Sequence, residues 1–427
     1  MTSSKFTFSA SEIPQVNYLL FLLKWLVIAC FVSIFIGSSV AFFLLSLDSV
    51  TQFREENLWI IWLLPIAGLV IGLSYHYFGT SVVKGNNLLL EEFHSPTQII
   101  PFRMAPLVLF GTLLTHLCGG SAGREGTAVQ MGGAIADQFT KIFKLSVTDR
   151  KLLLIIGISG GFAAVFGTPI AGAIFALEMM VVGRMRYETL LPSMIAAVAS
   201  NYICLLWGVH HTSYVIPEVP SMDGLNLIST LFAGILFGLT ALWFSKSIHF
   251  VSSFSSKLIS YPPLRPFIGG IFIALFVFFM GSTKFIGLGI PTIVEAFQVG
   301  LPASDFAIKL LITAFTLGVG FKGGEVTPLF FIGATLGSAL FMFLPLPVGL
   351  LAGMGFVAVF AGATNTPIAC TLMGIELFGA ESALFIALAC FVAYLFSGHT
   401  GIYSSQIIGS SKHLIYAKLK GKKLSEV

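Results

Sequence analysis

The chain has 427 residues, of which 56% are hydrophobic and only 10% are charged, and its net charge is +4. Soluble domains usually carry about a quarter charged residues, so this composition and a mean hydropathy of +0.94 exclude an ordinary soluble domain and indicate a membrane protein. The small net charge also argues against nucleic-acid binding.

The hydrophobic segments predict an all-α polytopic membrane protein. They follow a polar N-terminal segment, residues 1–17. The first of them, 18–47, is too long for a signal peptide, which predicts a retained, tilted span. Several later segments are shorter than the roughly 20 residues that a full crossing needs, and Gly or Pro interrupts many of them. This pattern predicts broken helices around a site, because freed backbone groups at membrane depth must be satisfied by protein or a cavity. The later segments lie near 57–79, 105–117, 152–182, 189–208, 226–244, 267–281, 307–320, 329–343, 347–361 and 366–397.

Two Gly-rich segments match each other at a constant offset. They are Gly123–Thr127 and Gly323–Thr327, and each places a glutamate, Glu125 or Glu325, in apolar sequence. A carboxylate in a membrane is energetically costly and is a candidate functional residue by default. Two carboxylates at matching positions predict a transporter with internal repeats and a site at the repeat interface.

A second internal match also indicates a duplicated chain. Residues 161–178 resemble residues 355–376, so that Glu178 aligns with Glu376, and we favour structural roles at helix ends for both acids. The halves are predicted to divide in the polar stretch near 210–225. The predicted organisation is a first membrane half, a second membrane half and a basic C-terminal tail that faces the cytoplasm and carries no soluble regulatory domain, at 18–215, 216–410 and 411–427.

The start of a helix can bind an anion, because its first backbone N–H groups have no internal partner and the helix dipole places partial positive charge there. Gly123–Thr127 and Gly323–Thr327 each precede a predicted helix, so both could direct amides at one anion. This kind of site attracts an anion without a lysine that would trap it, which suits passage. The segment Lys84–Leu88 is a third candidate, and an ordinary helix cap at Asn86 is its structural alternative.

The order and spacing of these motifs resemble the CLC family of anion channels and anion/proton antiporters. Gly123–Gly126, followed by a Gly-rich helix, resembles one family signature, and Gly323–Pro328 resembles a second. Lys84–Leu88 falls where the family has its first signature loop, and Tyr403 falls where it places a pore tyrosine. The resemblance covers roughly residues 18–415.

Departures from the family pattern indicate a branch. Asn86 replaces the usual pore serine, Thr127 replaces the usual proline, and residues 323–328 read Gly-Gly-Glu-Val-Thr-Pro in place of Gly-Gly-x-Phe-x-Pro. Met179 stands where proton-coupled chloride members have a second glutamate. Together these departures resemble the fluoride-exporting branch, whose members exchange fluoride for protons.

The resemblance implies a CLC-type fold, in which two repeated halves of inverted topology place broken helices around a central anion site. It implies a homodimer with one pathway per subunit, and a secondary active transporter that exports fluoride from the cytoplasm across a bacterial plasma membrane. The expected partners are fluoride or chloride, protons and the lipid bilayer, with no nucleic acid, cofactor or metal. The implied gating and proton-carrying residues are Glu125 and Glu325. The implied anion-binding residues are Asn86, Gly126, Thr127, Val326, Thr327 and Tyr403.

The chemistry of these residues agrees with the resemblance. Fluoride is small and strongly hydrated, so it leaves water only for strong hydrogen-bond donors. Asn86 offers amide N–H groups, and Thr327 and Tyr403 offer hydroxyls. An ionised glutamate competes with an anion, whereas a protonated one can swing away or donate a hydrogen bond. Glu125 can therefore act as both gate and proton carrier.

Structural alternatives remain open for four of these residues. Glu125 could be a buried acid paired with Arg124, and Glu325 an acid bonded to backbone amides. Thr327 could be a plain helix cap and Tyr403 an interfacial residue. For the whole protein, the alternative is a chloride/proton antiporter or a voltage-gated-type chloride channel. A membrane enzyme or receptor is disfavoured, because the sequence shows no metal cluster, no nucleophile with a base and no soluble domain.

Overall fold

The computed structural model of the chain describes residues 14–427. The first helix begins at Pro14, so the last four residues of the predicted polar segment are helical, and residues 1–13 lie outside the described part. Within residues 14–427 the chain forms sixteen α-helices and one pair of two-residue strands, which confirms the all-α prediction.

The helices fall into two runs of eight, separated by a segment, 207–223, without helix. The first run is α1 (Pro14–Glu56), α2 (Leu64–Phe78), α3 (Asn86–His94), α4 (Met104–Leu117), α5 (Glu125–Ile142), α6 (Val147–Phe166), α7 (Pro169–Glu178) and α8 (Leu190–Leu206). The second run is α9 (Gly224–Leu258), α10 (Leu264–Met280), α11 (Ile290–Ala296), α12 (Ser304–Gly318), α13 (Val326–Leu340), α14 (Val348–Thr364), α15 (Pro367–Phe378) and α16 (Ala383–Phe396).

The two runs place their longest and their shortest helices at the same positions. Each begins with its longest helix, α1 with 43 residues and α9 with 35, and each has its shortest helix third, α3 with 9 residues and α11 with 7. Short apolar helices such as α7 and α15 are too short to cross a bilayer alone, in agreement with the predicted broken helices. Strands β1 (Val181–Val182) and β2 (Ile407–Ile408) pair in parallel, so the segment after α16 is fixed to the end of the first half.

The core is built from helices that approach at glycines. In the first half α5 crosses α6, and a Cβ on Gly132 would lie 2.2 Å from the carbonyl oxygen of Gly157. In the second half α13 crosses α14, and a Cβ on Gly333 would lie 2.0 Å from the carbonyl oxygen of Gly355. Small residues at these crossings permit backbone contact, which is the usual means of packing helices inside a membrane. The crossings fix the position of α5 and α13, whose N-termini form the site.

Two acids join the halves reciprocally. The Glu178 carboxylate, at the end of α7, accepts hydrogen bonds of 2.8 and 3.1 Å from backbone N–H groups in the first turn of α15. The Glu376 carboxylate, near the end of α15, accepts bonds of 2.7 and 2.9 Å from the first turn of α7. Each acid therefore supplies the acceptor that the other half's helix start needs, as the predicted helix-end roles require.

Candidate anion site

The two Gly-rich segments meet at the centre of the protein. The Gly123 N–H donates to the Gly324 carbonyl over 2.6 Å, and the Gly324 N–H donates to the Gly123 carbonyl over 2.7 Å, as an isolated antiparallel bridge. Side chains do not fit in or beside this bridge: a Cβ on Gly324 would lie 2.7 Å from the Gly126 backbone nitrogen, and a Cβ on the neighbouring Gly323, which has a φ of +155°, would lie 2.5 Å from that of Ala122. The bridge brings the N-termini of α5 and α13 face to face.

The Glu125 carboxylate lies between these N-termini. It accepts hydrogen bonds from the Thr327 hydroxyl, from the Thr327 backbone N–H at 3.0 Å and from the Arg124 backbone N–H at 3.1 Å. Its side chain is 1% exposed. The carboxylate belongs to one repeat and occupies the helix N-terminus of the other, which is the position that a bound anion would take.

The structural alternative for Glu125 is an ion pair with Arg124. This contact is weaker than the contacts of Glu125 with Thr327. The Arg124 Nε lies 3.7 Å from Oε1 and makes no hydrogen bond. The Thr327 groups are closer and better aligned, so the interaction that holds Glu125 is with α13.

A narrow cavity lies on one side of Glu125. It has a volume of about 20 Å³, which is room for about one water-sized particle. Phe330 and Phe356 form one wall, with their rings stacked at a centroid distance of 3.9 Å. Glu125 and Thr327 also line this cavity, so the carboxylate borders a largely aromatic chamber.

A larger cavity lies next to Glu325. It has a volume of about 150 Å³, room for several water molecules. Three predicted site residues line it together, namely Asn86, Glu325 and Tyr403. Of its seventeen lining residues, Glu325 is the one acid. The Oε2 atom of Glu325 is buried without a hydrogen-bond partner, so backbone amides satisfy at most one oxygen of this carboxylate.

Asn86 is brought to the site as the first residue of α3. Gly85 precedes it with a φ of +56°, a conformation that glycine adopts readily. The amide oxygen of the Asn86 side chain is buried without a hydrogen-bond partner. A Cβ built on Gly126 would lie 3.2 Å from Asn86 Nδ2 and 3.4 Å from Glu325 Oε2. The three residues therefore surround one small volume.

A buried ionic cluster fixes α3 in this position. Arg150, in the first turns of α6, donates two hydrogen bonds of 2.7 Å to Asp137 and one of 3.1 Å to Glu92 of α3. Such fork-shaped contacts are geometrically specific. Arg150 thereby ties α3 to α5 and α6.

Two predicted anion-binding side chains do not face the site. The Thr127 hydroxyl is 2.7 Å from the Thr112 hydroxyl of α4, so it is turned away from the anion position. Val326 is apolar and 1% exposed, so only its backbone N–H can contribute. Gly126 and Thr127 can likewise contribute only their backbone N–H groups, in the first turn of α5.

The sequence analysis missed Lys322 and favoured a site without a lysine. Lys322 lines the larger cavity with Glu325, and its Nζ lies 4.2 Å from the ring centroid of Tyr75. The available signal was a cation in apolar sequence directly before Gly323, because a charge at membrane depth is by default a functional candidate.

Comparisons with known proteins give consistent results. The family described as "Voltage gated chloride channel" matches residues 67–398. A "Chloride/fluoride channel protein" from Pseudomonas syringae pv. tomato is 53% identical over 405 residues, which are 93% of this chain and 90% of that protein.

Solved structures share the fold. A "CLC-type fluoride/proton antiporter" is 33% identical with a TM-score of 0.88, covering 90% of this chain and 98% of that one. A "slow cyanobacterial Cl-/H+ antiporter" is 21% identical with a TM-score of 0.77, covering 88% of this chain and 94% of that one, and this likeness shows the fold alone. The predicted all-α, CLC-type fold is confirmed.

Proposed function

The chain belongs to the voltage gated chloride channel family, the CLC family, and on that premise we propose that it exchanges fluoride for protons and exports fluoride from the cytoplasm. The observation that carries this proposal is the Glu125 carboxylate, which takes an anion's place at the N-terminus of α13 and lies next to the narrow cavity. Transport requires that this carboxylate leave, and leaving requires a change of its charge.

The geometry supports a stepwise exchange. While Glu125 is ionised, Thr327 holds it with charge-assisted hydrogen bonds, which are about twice as strong as neutral ones. Protonation weakens these bonds and lets the neutral carboxyl move into the aromatic chamber beside Phe330 and Phe356. The Thr327 donors are then free for a fluoride ion, and return of the ionised carboxylate expels it. One proton therefore accompanies each opening.

Glu325 is the second proton carrier in this proposal. Met179, at the position of the second glutamate in chloride members, is fully buried and cannot carry a proton, and its neighbour Glu178 is engaged as a helix cap. Glu325 is the acid that lines the larger cavity, with an unpartnered carboxylate oxygen. It is therefore placed to exchange protons with that cavity and to respond to an anion beside Asn86.

We propose fluoride as the transported anion for two reasons: the hydrogen-bond donors at the site and the similarity to a solved fluoride/proton antiporter. Asn86 and Tyr403 face one cavity and Thr327 donates at the gate, so strong donors are concentrated where a strongly hydrated anion would lose its water. The solved antiporter with 33% identity is described as a fluoride/proton antiporter. The name of the Pseudomonas relative includes both chloride and channel, so a chloride-conducting channel is the second candidate.

We further propose a homodimer in a bacterial plasma membrane, with the C-terminal lysines on the cytoplasmic side. Helices α8 and α16 carry exposed apolar side chains, among them Tyr202 and Phe391, which a partner subunit or lipid would cover. Each subunit contains a complete site in this proposal, because both repeats contribute to it from one chain.

The experiment is a paired flux measurement on purified protein in liposomes. A fluoride gradient should drive opposing proton movement, recorded with a fluoride electrode and a pH electrode, and an equal chloride gradient should drive much less. Fluoride flux without proton flux would indicate a channel. Equal coupling to chloride would support a chloride/proton antiporter.

A further inference from the structure

Lys322, which is partly buried, differs in its contacts from the fully buried Lys309 and the partly buried Lys412. The Lys309 ammonium donates to two backbone carbonyls at 2.8 and 3.0 Å, and the Lys412 ammonium donates to Tyr394 and Ser397 at 2.6 and 3.0 Å. These contacts satisfy the charge within the protein. Lys322 makes no hydrogen bond or ion pair with any residue in the described range 14–427.

The position of Lys322 is nevertheless fixed. Its stem packs against α4, where a Cβ on Gly111 would lie 2.9 Å from Lys322 Cβ and 3.0 Å from Cγ. Its ammonium lies over the Tyr75 ring, 4.2 Å from the centroid. A cation–π contact stabilises an ammonium without neutralising it. The charge is therefore held at the wall of the larger cavity and remains available there.

The cavity has the charges that a passing anion needs. Lys322 supplies a positive charge and Glu325 supplies the acid, and the two charges attract each other without a hydrogen bond between them. A monovalent anion beside Asn86 would be attracted by Lys322 and repelled by an ionised Glu325. This balance gives weak binding, so the lysine does not trap the ion.

We propose that Lys322 captures the transported small anion in the cavity lined by Asn86, Glu325 and Tyr403, and thereby sets the affinity for fluoride. This inference rests on the proposed function, because the cavity must lie on the anion pathway. The ligand class is a small monovalent anion with charge-assisted contact to an ammonium. The Tyr75 ring and Gly111 are positioning residues, since they hold the ammonium at the cavity wall.

The test measures fluoride binding to the purified, full-length protein by isothermal titration calorimetry, together with the fluoride dependence of flux in liposomes. Lys322→Met should weaken fluoride binding roughly ten- to a hundredfold, the loss expected for one hydrogen bond to a charged group. The fluoride concentration for half-maximal flux should rise in parallel, with a smaller change in maximal rate. Lys322→Arg, which retains the charge, should recover most of the binding. Lys257→Met, which removes an exposed lysine at the end of α9, is the matched control and should bind like wild type.

A second variant displaces the lysine and keeps its charge. Gly111→Ala places a methyl group against the Lys322 stem, so fluoride binding should weaken although all charges remain. Binding within twofold of wild type in Lys322→Met would overturn the inference. If Lys322→Met and Lys322→Gln both fail to fold while Lys322→Arg folds, the charge is structural and the inference is also wrong. Wild-type protein that binds fluoride with Lys322-dependent affinity but moves no protons would instead contradict the proposed exchange.

Discussion

Asn86 is the residue whose identity bears most directly on selectivity. Its side chain lies beside Gly126 and its amide oxygen has no hydrogen-bond partner, so the amide is available to interact with an anion. A hydroxyl in its place offers one donor instead of two.

Asn86→Ser should therefore narrow discrimination between fluoride and chloride while leaving the fold intact. Loss of one hydrogen bond to a charged group costs about 1.5–3 kcal/mol, so the fluoride/chloride flux ratio should fall roughly tenfold or more. The ratio is measured with equal gradients of the two anions in liposomes. An unchanged ratio would assign selectivity to Thr327, Tyr403 and backbone amides instead.

Glu325 should matter for coupling in a way that Met179 does not. Glu325→Gln removes the acid that lines the larger cavity, so exchange should be slowed or uncoupled. Met179→Leu conserves volume at a fully buried position and should cost less than about 1.5 kcal/mol of stability with coupling retained. Fluoride and proton fluxes are compared at matched yield of folded protein. Normal coupling in Glu325→Gln would reduce Glu325 to a structural acid.

At the scale of elements, glycines at the helix crossings let the backbones touch and so set the distance between neighbouring helices. A Cβ on Gly333 would lie 2.0 Å from the Gly355 carbonyl oxygen, so α13 and α14 cannot keep their separation in Gly333→Ala. Overpacking of this kind costs typically about 1–3 kcal/mol. The variant should lower the thermal unfolding midpoint in detergent. Gly224→Ala, where no atom lies within 4 Å of the added Cβ, is the control, and equal midpoints in the two variants would contradict this view of the crossing.

The reciprocal caps predict a matched pair of effects. Glu178→Gln and Glu376→Gln each remove a carboxylate from the N-terminus of a helix in the other half, and each should cost about 1 kcal/mol of stability. Thermal unfolding of both variants measures the loss of stability. Glu188→Gln, which neutralises an exposed acid, is the control. A change in only one of them would mean that the two repeats do not carry equivalent caps.

Much of this element-scale organisation was predictable because repeated motifs must perform repeated structural tasks. Matching Glu125 with Glu325 identified the two segments that meet. The direction of the Thr127 hydroxyl was not predictable, because Thr112 of α4 is its partner and local spacing does not specify which helix packs there. The position of the Lys322 ammonium over Tyr75 of α2 was likewise not predictable, because the two residues are far apart in sequence.

At the scale of the whole molecule, two repeated halves form one candidate site by placing two helix N-termini against each other. The halves are joined by the Gly123–Gly324 bridge, by the reciprocal caps and by Glu125 itself, which belongs to α5 and binds α13. In the proposed exchange, a proton that releases Glu125 would change contacts between the halves at the point where the anion passes. Coupling would then follow because one carboxylate blocks the anion site and also carries the proton.

The most direct test of this account is simultaneous recording of fluoride and proton flux for wild-type protein and Glu125→Gln in liposomes. In the wild type, fluoride moving down its gradient should drive protons in the opposite direction, at a fixed ratio of protons to fluoride ions. The neutral amide cannot cycle a proton, so Glu125→Gln should move no protons and should be either blocked or a leak for fluoride. Proton movement at the wild-type ratio in Glu125→Gln would contradict the account.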